Sequence, residues 1–132
     1  MHPSVYARSQ PDKPAYIMAG SGTVVSYGQL EERSRRCAQL LRGLGLGTGD
    51  TIAICMDNNP RYFELCWAAQ RSGLYYTCVS NRLTAPEVEY IVRDSGARVL
   101  FLSVSQRAIA AELAHSLEDI ERFSVDGSIN GY

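Results

Sequence analysis

The chain has 132 residues, 45% of them apolar, with 13 basic against 14 acidic side chains and a formal net charge of −1. That length fits one domain with a real core, and the balanced charge excludes the electrostatic footprint of a nucleic-acid binder or of a protein drawn to anionic membranes. No apolar stretch approaches the roughly 20 residues of a bilayer span, and the amino terminus lacks the basic region and apolar run of a secretory signal.

Residues 1–13 carry two prolines and several polar groups and read as an irregular or weakly helical lead-in. The rest, residues 14–132, reads as one α/β unit. Pro14 to Ala19 is a short apolar run, Gly20-Ser21-Gly22 a turn signal and Thr23-Val24-Val25 a β-branched run, which together predict a small hairpin. Ser26-Tyr27-Gly28-Gln29 matches a capping box, and Leu30, Cys37, Leu41 and Leu44 follow at helical spacing until Gly43 and Gly45 end the helix. Thr51 to Met56 is nearly all apolar, as in a strand covered on both faces. Asn59-Pro60 starts a second helix, with Asn59 as cap, and Phe63, Cys66, Trp67 and Gln70 are expected along it before Gly73 stops it.

Leu74 to Val79 is the next strand. Thr84-Ala85-Pro86-Glu87 is another capping box; Val88, Ile91 and Val92 give its helix an apolar side and Gly96 closes it. Arg98 to Leu102 reads as a buried strand, Ser105 to Leu117 as a helix with Ile109, Leu113 and Leu117 inward, and Ile120 to Val125 as a last strand before an Asp126-Gly127 turn. Strict alternation of helix and apolar strand predicts an α/β fold: βα units building a mostly parallel sheet flanked by helices, with the small N-terminal hairpin ahead of it.

Candidate chemistry is sparse. Gly43-Leu44-Gly45-Leu46-Gly47-Thr48-Gly49-Asp50 is glycine-rich, but a dinucleotide fingerprint needs glycines between a strand and a helix. Here they follow a helix and lead into a strand, so they read as a helix end and a tight turn. His2 and His115 have no nucleophile or metal partners near them in sequence. Glu87 is a capping residue and Glu89 lies on a solvated helix side, so neither reads as a general acid or base. Trp67, with Tyr62 and Phe63, reads as core or interface. Cys37, Cys55, Cys66 and Cys78 form no CxxC pair and read as reduced core thiols rather than metal ligands, which points to the cytoplasm. The residues themselves therefore give no catalytic constellation and no metal site.

A series of phrases, in order and at matching spacing, resembles the amino-terminal region of the acyl-CoA synthetases of the adenylate-forming superfamily. They are Val25-Ser26-Tyr27-Gly28-Gln29-Leu30, Leu40-Leu41, Gly45, Gly49-Asp50-Thr51-Ile52-Ala53-Ile54, Asn59-Pro60 and Ala68-Ala69-Gln70-Arg71-Ser72-Gly73-Leu74-Tyr75-Tyr76. Asn81-Arg82-Leu83, Glu87-Val88-Glu89-Tyr90-Ile91 and Asp94-Ser95-Gly96-Ala97-Arg98 complete the series, which runs from about Pro11 to Ser103. The resemblance implies a partial N-terminal subdomain of that fold and, for the whole enzyme, ATP, Mg²⁺ and CoA as cofactors. It also implies a phosphate loop ending in Pro-Lys-Gly, and this chain contains no such phrase.

No catalytic residue is therefore carried over. The resemblance implies one cofactor contact, Arg82 against the CoA phosphates; from the bare sequence Arg82 reads as a surface arginine or half of a local ion pair. The expected partners are the remainder of a synthetase chain, or a second copy meeting an exposed apolar surface. The sequence leaves two other functions open: an autonomous nucleotide- or CoA-binding module, and a dimerisation or interaction unit.

Overall fold

A computed structural model of the protein describes residues 2–132. The central sheet is built from β3 (Thr51–Cys55), β4 (Tyr75–Val79), β5 (Ala97–Ser103) and β6 (Glu121–Val125), all parallel, in the order β4-β3-β5-β6. Helices α2 (Tyr27–Gly43), α3 (Arg61–Arg71), α4 (Ala85–Asp94) and α5 (Arg107–Ser116) connect them. A two-stranded antiparallel hairpin, β1 (Pro14–Ile17) and β2 (Val24–Ser26), stands ahead of α2. The lead-in, expected to be irregular or weakly helical, carries helix α1 (Ser4–Ser9), whose Tyr6 ring lies 5.1 Å from the Tyr27 ring.

The sheet separates two apolar layers, because side chains alternate along a strand. Ala53, Cys55, Leu100 and Leu102 face one way, toward Val88 and Val92 of α4 and Ala110 and Leu113 of α5. Ile52, Ile54, Val99 and Phe101 face the other way, toward Leu41 of α2 and Leu65, Ala68 and Ala69 of α3. Burying each such Leu or Ile side chain contributes about 1.5–3 kcal/mol.

Local signals set the element ends. Ser26 Oγ accepts from the Gln29 amide and Gln29 Oε1 accepts from the Ser26 amide, so the first capping box closes. The second forms between Thr84 and Glu87. Pro60 already has helical dihedrals, and the Asn59 side chain accepts from the Arg61 amide at 2.8 Å, so Asn59 caps α3. The glycine-rich stretch is a helix end and turn: Gly45 and Gly49 have φ of +78° and +94°, and Asp50 Oδ2 accepts from the Gly47 amide.

The inward stripe of α3 is Glu64, Leu65, Ala68 and Ala69; Phe63 and Gln70 are exposed, and Cys66 and Trp67 are half-buried. Small alanines win the stripe because α3 packs closely on α2 and the sheet. The edge strand β4 has Tyr75 and Tyr76 exposed, since only β3 pairs with it. One expectation needs correction: Cys55 is buried, Cys37 and Cys66 are half-buried and Cys78 on the edge strand is exposed, so the four thiols are not uniformly core residues.

Candidate functional site: the carboxyl ends of the strands and the flank of β6

In a parallel sheet, ligands settle in the crevice at the carboxyl ends of the strands, where the strand order switches direction. Here that point lies between β3 and β5, since β4 leaves β3 on one side and β5 lies on the other. Side chains at this end of the sheet bond to one another and to the backbone. Asp126, with φ of +60°, turns its carboxylate back to accept from the Val104 amide at 3.1 Å and from the Asn59 side-chain amide. Behind it, Ser103 and Ser105 hydroxyls pair at 2.7 Å, and Cys55 Sγ donates toward the Ser80 carbonyl oxygen and Gln106 Oε1. The network ties the loop after β3 to the end of β6 and has no glycine-lined cradle for a phosphate.

Arg82 lies beside this end of the sheet, in the loop between β4 and α4. Its amide donates to Ser80 Oγ at 3.3 Å, the residue is exposed, and among the described residues its guanidinium makes no ion pair. A free, exposed guanidinium can meet a phosphate; no second basic side chain is brought to it by this loop.

A concavity of about 590 Å³ lies on the α2–α3 side of the sheet, over β5 and β6. Phe101 and Phe123, stacked with centroids 5.5 Å apart, and Val125 form its apolar floor. Arg33, Arg36 and Arg61 rim it. Glu64 is 5% exposed and accepts from Arg33 and Arg61, each at 3.1 Å, while Arg36 pairs with Glu32. The cations are thus answered by carboxylates from the same chain. Burial pushes the Cys37 thiol at this concavity up to about 11, with Glu64 adding to the effect, so it stays protonated. Burial likewise pushes the Tyr16 phenol up to about 12; its hydroxyl donates to the Pro60 carbonyl oxygen at 2.6 Å. None of these groups is poised as a nucleophile or base near neutral pH.

His2 packs edge-on against Trp67, ring centroids 5.2 Å apart, and burial holds its imidazole below the ordinary range. His115 sits in the last turn of α5. Glu87 closes its cap and Glu89 pairs with Arg93. Among the described residues, no three His, Cys, Asp or Glu side chains converge as metal ligands, and no helix is long and apolar enough to cross a membrane.

Sequence reasoning missed Glu64, its two arginines and the Asn59–Asp126 link. A signal for Glu64 existed: with α3 phased on Leu65, Ala68 and Ala69, an acidic residue falls on the inward stripe and needs a cationic partner. The partners themselves, 31 residues away in the case of Arg33, carry no local mark.

The model for AMP-binding enzymes matches residues 4–128. A fatty acid–[acyl-carrier-protein] ligase, ScoC, from Streptomyces coeruleorubidus is 38% identical over 99 residues, which is 75% of this chain and 19% of that protein. The long-chain-fatty-acid–CoA ligase FadD13 of Mycobacterium tuberculosis is 33% identical over 94 residues, 71% of this chain and 19% of that one. The solved N-terminal domain of FACL13 from Mycobacterium tuberculosis superposes with a TM-score of 0.84 at 25% identity, covering 94% of this chain and 32% of that one. The chain thus spans about a fifth of the length of the curated relatives it matches.

Proposed function

The chain belongs to the AMP-binding enzyme family, and from that premise we propose that it is the N-terminal portion of an acyl-CoA synthetase, an ATP-dependent carboxylate–CoA ligase acting on fatty acids. The parent enzyme joins ATP and a carboxylate into an acyl-adenylate with release of pyrophosphate, and the CoA thiol then displaces AMP. Fatty acids are favoured because ScoC and FadD13 carry that substrate in their names. Residues 14–132 are an incomplete AMP-binding domain, and residues 1–13 a helical lead-in to it. A cytoplasmic site of action belongs to the same reading, supported by four unpaired cysteines, one of them exposed.

One observation carries the proposal that this chain alone is not catalytic. The sequence has no Pro-Lys-Gly phosphate loop, and at the carboxyl ends of the strands Asn59, Asp126 and Ser105 are engaged with neighbouring groups of the same chain. This part of the protein instead contributes a rigid sheet and a floor of Phe101, Phe123 and Val125 onto which the remainder of the synthetase packs. The donor set fits ATP and Mg²⁺ poorly, since among the described residues no three acidic, His or Cys side chains converge; it fits the CoA phosphates at one point, Arg82, whose role is charge pairing with no part in bond making.

The test is pyrophosphate release from ATP and palmitate by the purified chain. No release above the buffer rate is expected, and turnover would overturn the inactivity. In the longer enzyme, Arg82→Ala is expected to raise the KM for CoA about 3–10-fold with that for ATP unchanged, the loss of one exposed charge-assisted contact. An unchanged KM for CoA removes Arg82 from the site.

A second reading, self-association, rests on Ile17, Phe63 and Tyr75, which are 60%, 49% and 69% exposed. Light scattering at high concentration decides it: a dimer or larger species is expected, and a clean monomer sinks it.

A further inference from the structure

We infer that Cys66 and Cys78 form a redox pair: a hydroperoxide oxidises the exposed Cys78 thiol, and Cys66 converts it into an intrachain disulfide that fastens α3 to the edge strand β4. The register of the sheet brings them together. Cys78 lies opposite Ile54, and Ile54 points into the layer against which Cys66 and Tyr62 of α3 pack. Cys78 therefore lies on the α3 side of the edge strand, the side from which Cys66 and Tyr62 pack. Because β4 is the sheet's edge, Cys78 is open to solvent, whereas Cys66 is half-buried. Oxidant thus reaches one sulfur, and the other waits behind it. Burial, with Cys78 adding to it, pushes the Cys66 thiol up to about 12, which keeps that sulfur protonated and leaves the first attack to Cys78.

The other two thiols are placed elsewhere. Cys55 points to the opposite face and donates toward the Ser80 carbonyl oxygen and Gln106 Oε1. Cys37 lies on α2 at the arginine-rimmed concavity.

The chemistry balances in two steps. The Cys78 thiolate attacks one oxygen of the hydroperoxide; the S–O bond forms, the O–O bond breaks, and the departing oxygen takes a proton to leave as alcohol or water. The Cys66 sulfur then attacks the sulfenic sulfur; the S–S bond forms, the S–O bond breaks, and the hydroxyl leaves as water with the Cys66 proton. The two thiols together lose two electrons and two protons, and the hydroperoxide gains them. A dithiol reductant reverses the result by thiol–disulfide exchange.

Trypsin cleaves after Arg61, Arg71 and Arg82, so Cys66 and Cys78 fall on adjacent peptides, 62–71 and 72–82, that only a disulfide can join. The purified 132-residue chain is mixed as equal parts isotopically heavy and light protein, treated with hydrogen peroxide, alkylated in denaturant, digested and weighed by mass spectrometry. The expected product is the 62–71/72–82 pair, two hydrogens lighter than its parts, heavy with heavy and light with light, and lost on treatment with dithiothreitol. In Cys66→Ser the bridge is absent and Cys78 is trapped as a sulfenic acid by dimedone. Recovery of both peptides alkylated, of Cys78 as sulfinic acid in the unsubstituted chain, or of mixed heavy–light pairs overturns the assignment.

Discussion

Cutting the link between Asn59 and Asp126 should release the loop after β3 from the end of β6. Asn59 is 8% exposed and makes two side-chain bonds: its oxygen accepts from the Arg61 amide at 2.8 Å, and its nitrogen donates to Asp126 Oδ2. Asn59→Ala therefore removes a helix cap, worth about 1 kcal/mol. It also removes a hydrogen bond to a charged acceptor, for which about 1 kcal/mol is appropriate because Asp126 is exposed and water can replace the donor. The sum is about 2 kcal/mol. At about 2.1 cal/mol/K of unfolding entropy per residue, a chain of this length responds with a fall in Tm of about 7 °C. The assay is thermal melting followed by far-ultraviolet circular dichroism, for Asn59→Ala, Asp126→Ala and the double variant. Coupling of about 1 kcal/mol between the two is expected; additivity within ~0.3 kcal/mol, or a single-variant shift under ~2 °C, would refute the closed crevice.

Leu100 is fully buried on the face of the central strand β5 that packs against α4 and α5, so Leu100→Ala should cost about 2–5 kcal/mol by urea titration, whereas Tyr75→Ala on the exposed edge should stay within ~0.5 kcal/mol. Gly73 has φ of +70°, and a Cβ there would stand 2.9 Å from Thr48 Oγ1, so Gly73→Ala should destabilise by more than about 1 kcal/mol in the same titration. The Gly47 amide and then Arg98 hold the Asp50 carboxyl below its ordinary 3.8, and the Thr84 amide holds Glu87 below 4.5. Groups with depressed folded values contribute stability that is whole above those ordinary values and is lost as pH falls through the folded ones. Melting temperatures read from pH 7 down to 2 should therefore fall below about pH 4.5, and fall less steeply in Arg98→Ala; parallel curves would remove the Asp50 contacts from the account.

The alternation of elements was legible because both signals behind it are local. Capping boxes at Ser26 and Thr84 and the turn glycines mark the helix ends, and unbroken apolar runs mark β3 and β5. Phase and position within the sheet were not. The phase of α3 does not follow from composition, in which Phe63 and Trp67 are the more apolar residues, because close packing on α2 selects Ala68 and Ala69. That β4 is an edge depends on which strands pair, and nothing in Tyr75–Val79 states it. The candidate site divides the same way. Arg82 was suggested by family phrases alone, and it lies in the loop between β4 and α4. The Arg33–Glu64–Arg61 cluster and the Asn59–Asp126 link join residues far apart in the chain, so only the fold reveals them.

The most direct test of the central claim, that this chain is part of a larger ligase, is the size of the polypeptide that carries it. An antibody raised against the chain should detect in a lysate of the native cells a single band several times heavier than 14.6 kDa. A single band near 14.6 kDa would contradict the account and move binding or regulation ahead of catalysis.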